Sequence, residues 1–393
     1  MVDYQIKELT KDQIKIILDT VPILEQAGES LTAKFYQRMI GGYDEVKPFF
    51  NTTDQKSLRQ PKILAFALLN YAKNIQDLSP LTGFVQQIVS KHVGLQVKAE
   101  HYPIVGTCLI ETMIELLPKE VATSEFIEAW ATAYGNLAKI LIDAEQQEYN
   151  KQPWKEFKNF KVSKIEKECD DVKSIYLTPE DSTFQIPINK PGQYLCIRWQ
   201  LPNEKFEISR EYSISDIPKD NEYRISVRHL KDGKISSYIH NELKVGDVLK
   251  IAPPNGNFVY DDKQVEKPLV AVVGGIGITP IVSIVKSAIK QNRKIVLINC
   301  NKDVKSRPFE NWLKSIKSDN VKIIEYFDQE DASVTDIIDK AEKRRLEMKD
   351  LDFITENDDV YLLGPRGFMK VIKTYLNDKK IDVKLEYFGP MDV

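Results

Sequence analysis

Arg210-Glu211-Tyr212-Ser213-Ile214-Ser215 reads as an extended edge able to hold a flat, anionic ligand. Arginine offers a planar fork of donors for phosphate, tyrosine a ring face and serine a short hydroxyl. In an extended chain Arg210 and Tyr212 point to one side, Glu211 and Ser213 to the other. That layout suits a nucleotide with a planar aromatic head. Alone, the six residues also describe an ordinary amphipathic strand with a surface arginine, so the flanking chain decides.

Around this stretch short strands recur, at Ser174 to Leu177, Tyr194 to Trp199, Tyr223 to Val227 and Val248 to Ile251, separated by turns such as Lys190-Pro191-Gly192 and Pro253-Pro254-Asn255-Gly256. They predict an antiparallel β-barrel of about six strands. Beyond about residue 265 strands alternate with helices: Pro268 to Val273, Lys294 to Cys300, Val321 to Tyr326 and Val360 to Leu363 as strands, Ile281 to Lys290 and Trp312 to Ser318 as helices. This is the pattern of an open parallel α/β sheet. Between its first strand and first helix lies Gly274-Gly275-Ile276-Gly277-Ile278-Thr279-Pro280. There glycines let backbone N–H groups approach a pyrophosphate, Thr279 can cap the helix, and Pro280 fits its first position. Gly233-Lys234-Ile235-Ser236-Ser237 is a second turn leading into a helix, with serine caps able to serve another phosphate; a plain capped hairpin turn is the competing reading.

Upstream, apolar residues recur at three- and four-residue spacing in Ile14-Ile17-Leu18-Val21, Leu31-Phe35-Met39, Ile63-Leu64-Ala67-Leu68-Tyr71 and Phe126-Trp130-Tyr134-Leu137-Leu141. They predict six to eight helices in an all-α domain. The expected architecture is therefore multidomain: all-α over 1–150, an antiparallel barrel over 153–262 and a parallel α/β domain over 265–393. A net charge of -3 argues against nucleic acid as main partner. Cys108, Cys169, Cys196 and Cys300 form no metal or redox pair in sequence and read as buried hydrophobes in a reducing compartment. No apolar run approaches the roughly 20 residues of a membrane helix, and the polar N-terminus is no secretory signal. A cytoplasmic protein is the expectation.

Pro191-Gly192-Gln193-Tyr194, Arg210 to Ser213, Gly233 to Ser236, Gly274 to Pro280, Leu363-Gly364-Pro365 and Glu386-Tyr387-Phe388-Gly389-Pro390, in that order, resemble the ferredoxin reductase family. The resemblance implies that FAD is held by Tyr194, Arg210, Glu211, Tyr212, Ser213, Gly233 and Ser236. It implies NAD(P)H at Gly275, Ile276, Gly277, Ile278, Thr279 and Pro280, with Phe388 on the opposite flavin face and Glu386, Tyr387, Gly389 and Pro390 beside it. Leu363 departs from the family, which usually carries cysteine there. Lys302, Lys305 or Arg307 could take a 2′-phosphate, and the choice between NADH and NADPH stays open.

With four histidines in the chain, His92, in an apolar helix beside Lys91, would by itself be an ordinary core residue. Yet Lys91-His92, Gln96-Val97-Lys98 and Tyr102, with Lys34-Phe35-Tyr36 and Phe49-Phe50-Asn51, resemble the globin domain of the flavohaemoglobins, and the whole chain fits that family. The resemblance implies haem b with His92 as axial iron ligand. It sets Tyr102 and Glu145 as the pair that hydrogen-bonds the ligating imidazole, Tyr36 and Gln60 as distal residues steadying O2, and Phe50, Leu64 and Lys91 as haem-pocket residues. His101 is read as a surface or supporting residue. The implied activity is that of a nitric oxide dioxygenase: electrons from NAD(P)H pass through FAD to haem, and O2 converts nitric oxide to nitrate. A monomer acting on small molecules is expected. Two rivals share these residues, a haem-based oxygen-binding or sensing protein with an attached reductase, and a haem-free flavin reductase.

Overall fold

The computed structural model describes residues 3–50, 59–329 and 339–388, apart from the side chains of Ala27 and of residues 59–61. Gln60 (as a side chain), Gly389 and Pro390 therefore lie outside the described residues. The chain forms two compact units, one of residues 1–156 with 198–210, the other of 157–197 with 211–388.

The first unit carries helices α1 (Lys11–Asp19), α2 (Val21–Gly42), α3 (Arg59–Lys73), α4 (Thr82–Leu95), α5 (Tyr102–Leu116) and α6 (Ser124–Tyr149). Helix α1 opens on a capping box in which Thr10 Oγ1 accepts from Gln13 N at 3.1 Å and Gln13 Oε1 accepts from Thr10 N at 3.0 Å. The apolar spacing ran Ile14 to Val21 as one stripe, whereas α1 stops at Asp19 and Val21 starts α2, because Pro22 sets a new first turn. Phe35, Met39, Met113 and Trp130 fill the core between α2, α5 and α6. Trp130 Nε1 donates to Thr20 Oγ1 at 3.2 Å, which satisfies a buried indole at the α1–α2 junction.

The barrel sheet contains β1 (Lys158–Cys169), β2 (Val172–Pro179), β3 (Tyr194–Trp199), β4 (Ile208–Ser213), β5 (Tyr223–Arg228) and β6 (Val248–Ile251), in the order β4-β3-β6-β1-β2-β5. A bridge between Ile214 and Ile225 joins the chain just past β4 to β5, so the two edge strands meet and the sheet closes. Helix α7 (Lys234–Asn241) follows β5.

The second sheet is parallel, with β7 (Leu269–Gly274), β8 (Ile295–Asn301), β9 (Val321–Phe327), β10 (Lys340–Glu342), β11 (Asp359–Leu363) and β12 (Val383–Leu385) in the order β10-β9-β8-β7-β11-β12. Strand β7 is buried throughout, as a central parallel strand covered on both faces must be. Helices α8 (Ile278–Lys290), α9 (Glu310–Ser315) and α10 (Arg366–Asp378) accompany it. The expected boundary near residue 262 separates segments that pack as one unit: Phe258 lies in the same apolar core as Leu269 and Ile284, and Gly192 N donates to Ser283 Oγ at 3.0 Å. Among the described residues no helix is long and apolar enough to cross a membrane.

The glycine turn after β7 is set by close approach. A β-carbon at Gly277 would lie 2.7 Å from the Leu363 carbonyl oxygen, backbone that cannot yield cheaply. Gly367, on the exposed side of α10, has nothing within 4 Å of such a carbon. Gly277→Ala is accordingly expected to lower the unfolding free energy of the second unit by about 1–3 kcal/mol, and Gly367→Ala to leave it unchanged or raise it by up to about 1 kcal/mol, as read by urea unfolding.

Candidate functional site

Three helices of the first unit converge on one imidazole. Helix α4 ends one turn after His92 because Gln96 adopts a left-handed conformation, φ 61°, and Val97 N donates back to the His92 carbonyl at 2.9 Å. The short reversal that follows returns the chain at Tyr102, the first residue of α5. Helix α6 buries Phe126, Ala129, Trp130, Ala133, Ala138 and Leu141 on one stripe, and the next position on that stripe is Glu145, 2% exposed. His92 Nδ1 donates to Glu145 Oε1 at 2.7 Å, and the same oxygen accepts from Tyr102 OH at 2.5 Å. Burial, with the Glu145 charge beside it, pushes the Tyr102 phenol far up, so it stays protonated and donates. With Nδ1 committed, the imidazole is fixed in the tautomer whose Nε2 carries a lone pair, and Nε2 has no partner among the described residues. A half-buried imidazole, oriented by a carboxylate and offering a free nitrogen, is the donor set of an axial metal ligand, so these residues fit a haem iron. Tyr149 OH donates to the Val97 carbonyl at 2.6 Å and pins the reversal after His92, a support that the sequence reading did not assign.

Tyr36, Phe50 and Leu64, all partly buried, pack against the main helical core. The Tyr36 ring meets Phe50 edge-on at 5.4 Å and Phe35 at 5.1 Å, and burial pushes its phenol well up. Tyr36 and Phe50 are thus in contact, Leu64 packs against the same core, and Lys91 is half-buried beside His92. His101 is half-buried rather than a surface residue. Its ring packs edge-on against Phe49 at 4.9 Å, and its Nδ1 accepts from Lys98 N at 2.9 Å.

In the second unit Tyr194, Glu211 and Glu386 cluster. The buried Tyr194 OH accepts from Asn255 Nδ2 at 3.1 Å and hydrogen-bonds Glu211, while Glu386 lies near enough to act on it. Burial first, then the two carboxylates, raises its phenol well above the ordinary range. Asn255 had been read only as a turn residue. Strand β4 carries Arg210, Tyr212 and Ser213, each half-buried. Tyr387 lies under the Arg366 guanidinium at 5.2 Å from its ring centre, and Phe388 is 50% exposed.

Four sequence assignments need correction. Ser236 does not cap α7: the cap is Gly233, and Ser236 Oγ, one turn inside, accepts from Leu230 N at 3.1 Å and donates to the Gly233 carbonyl at 3.1 Å. Thr279 does not cap α8 and Pro280 is not its first residue. A tight turn over Gly275–Gly277 runs straight into Ile278, so both fall inside the first turn, and Thr279 Oγ1 donates to the Ile276 carbonyl at 3.0 Å. Arg307 cannot serve a 2′-phosphate. It is 4% exposed and its Nη1 donates to Glu325 at 2.6 Å, a pair buried between β8 and β9 with Asn299 as a further donor to Glu325. Lys302 and Lys305 remain on that loop.

The turn Gly275 to Gly277 sits at the carboxyl end of β7, which has β8 as its neighbour on one side and β11 on the other, so the strand order reverses there. Such a switch point is where open α/β sheets bind ligands.

The chain matches three family models: globin over residues 33–141, oxidoreductase FAD-binding domain over 159–260 and oxidoreductase NAD-binding domain over 271–374. It is 64% identical over 398 residues to a flavohaemoprotein of Candida albicans, covering 100% of this chain and 99% of that protein. It is 48% identical over 400 residues to one of Schizosaccharomyces pombe, covering 98% and 93%. Its fold is similar to that of the Malassezia yamatoensis flavohaemoglobin with bound FAD and haem, at 23% identity and a TM-score of 0.84 over 98% of this chain and 100% of that one. The FAD/NAD-binding domain of the Vibrio cholerae nitric oxide dioxygenase matches 60% of this chain and 100% of its own, at 28% identity and a TM-score of 0.52. With relatives 64% and 48% identical over nearly the whole of both chains, and with globin, FAD-binding and NAD-binding models matched in series, the chain belongs to the flavohaemoprotein family.

Proposed function

We propose that the chain is a nitric oxide dioxygenase, spending NAD(P)H to convert nitric oxide and O2 to nitrate. The observation that carries this reading is the Glu145–His92–Tyr102 cluster. Haem b held by His92 would supply an iron able to bind and activate O2, and FAD held by residues of β4 would supply the change from two-electron to one-electron transfer. Glu145 Oε1 accepts from His92 Nδ1, N···O 2.7 Å, which makes Nε2 a stronger electron donor, and Tyr102 keeps the carboxylate in place by donating its phenol proton to it. A carrier or sensor needs only reversible binding; an axial imidazole hydrogen-bonded to a carboxylate favours O2 activation, which ranks the sensing reading second. Tyr36 and Gln60 are assigned to the O2 side, with Phe50 and Leu64 shaping it and Lys91 beside the ligand. Arg210 and Ser213 are assigned to hold FAD, Tyr212 to stack on its ring system, and Tyr194 with Glu211 and Glu386 to bound it. Gly275, Ile276 and Gly277 present backbone to the NAD(P)H diphosphate. The reading includes a cytoplasmic monomer working on small molecules, its charge of -3 giving no general attraction for nucleic acid.

With NADH and O2 supplied, a nitric oxide electrode should record consumption of the gas with matching nitrate formation. NADH oxidation indifferent to nitric oxide would defeat the reading. Glu145→Gln should keep haem yet lower turnover by about 10–100-fold, whereas His92→Ala should lose or shift the Soret band. Tyr212→Ala or Ser213→Ala should slow haem reduction by NADH while carbon monoxide binding to the dithionite-reduced protein stays near wild type, both followed by stopped-flow absorbance.

A further inference from the structure

Strand β12 is three residues long, lies at the edge of the parallel sheet and pairs with β11 alone among the described residues. Val383, Leu385 and Tyr387 pack on the apolar core that holds Val360, Leu362 and Met369, which leaves Lys384 and Glu386 on the other face. Burial of the first set decides which face turns inward. It does not decide where along β11 the strand stops, because a slide of two residues keeps the same alternation. Lys384 supplies that stop. It stands opposite Tyr361, and its Nζ lies 2.7 Å from Asp359 Oδ1, 3.4 Å from Asp261 Oδ2 and 3.3 Å from Tyr361 OH. The partners are themselves fixed: Arg293 Nη2 donates to Asp359 Oδ2 at 2.8 Å, and Asp261 N donates to Tyr361 OH at 3.1 Å. Two residues before Lys384 stands Asp382 and two after it Glu386. A slide of two residues in either direction would therefore set a third carboxylate against Asp359 and Asp261.

We propose that Lys384 is a positioning residue for the flavin site, setting the register of β12 that brings Glu386 to Tyr194 and Phe388 to the flavin face. The inference rests on the reading of Tyr194, Glu211, Glu386 and Phe388 as flavin-site residues. Lys384 does not touch the flavin in this assignment and acts through the residues that follow it. Glu386 lies two residues on, near enough to Tyr194 to act on its phenol. Two residues of strand span about 6–7 Å, so a slipped β12 takes Glu386 out of reach of Tyr194. Asp261 belongs to the segment leaving the barrel and Asp359 to the parallel sheet. One ammonium thus sets the end of the chain against both parts of the second unit.

The test reads the full-length holoprotein by amide hydrogen exchange and by anaerobic flavin reduction with NADH. Lys384→Met removes the ammonium and keeps its stem. Asp359 retains Arg293 and the partly exposed Asp261 is hydrated, so no buried charge is orphaned and the chain should fold. Exchange at residues 383–388 should rise on the order of ten-fold, while β7 keeps wild-type protection. The limiting rate of reduction per bound flavin should fall on the order of 10–100-fold. Lys384→Arg should recover most of both losses, and Lys384→Glu, which adds a carboxylate, should exceed Lys384→Met in both. Lys373→Met, at an exposed lysine of α10, should match wild type. If Lys384 served stability alone, its variants would melt earlier or lose FAD, yet the flavin still bound would be reduced at the wild-type rate. That result, or unchanged exchange at 383–388, overturns the proposal. The flavin reading is judged on wild type by itself, since a purified protein without FAD defeats it before any variant is made. Absence of nitric oxide turnover in wild type would defeat the dioxygenase reading and leave the Lys384 result intact.

Discussion

A carboxylate 2% exposed within a helical core is costly unless it is paired and hydrogen-bonded, and Glu145 is both. One of its oxygens accepts hydrogen bonds from an imidazole on α4 and a phenol on α5, so three helices must close in register for the charge to be tolerated. The stabilising and the chemical roles of Glu145 cannot be separated. The hydrogen bond that offsets its burial is also the one that orients His92 and fixes its tautomer. Positions around it are filled by aromatic and aliphatic groups such as Val89, Val93 and Leu141, which keep the local dielectric low and the bonds strong.

Much of this was legible in the sequence. Strands Tyr194–Trp199 and Val248–Ile251 were read to the residue because β-branched and aromatic runs ended at clear turn signals. The stripe through Trp130 and Leu141 predicted α6, and Glu145 stands out on it as a charge where an apolar residue is due. Helix starts were less legible. Pro280 reads as a first residue, but proline is tolerated within the first turn, and the preceding turn over Gly275–Gly277 moved the helix upstream. The Ser236 hydroxyl, placed as a cap by composition, is used by its own loop.

Pairing across the sheet was the least legible feature. Arg307 looks like a phosphate ligand in a string of lysines, and only the register of β8 and β9 shows Glu325 beneath it. Burial pushes that carboxyl upward and the guanidinium pulls it back, a balance invisible without coordinates. In hindsight Glu325 is the signal: a carboxylate within a strand that is otherwise almost wholly buried needs a cationic partner. Asn255 was missed for the same reason, since its partner Tyr194 lies far away in sequence.

The order in which these clusters appear along the chain has a biosynthetic consequence. His92, Tyr102 and Glu145 all precede residue 157, so this hydrogen-bonded cluster has all its members before the barrel is translated, although the unit that holds it also takes in residues 198–210. Tyr194 must wait for Glu386, which is made only after the entire parallel sheet has been translated. A nascent or prematurely terminated chain would hold its ligand-binding half without a means of reducing it.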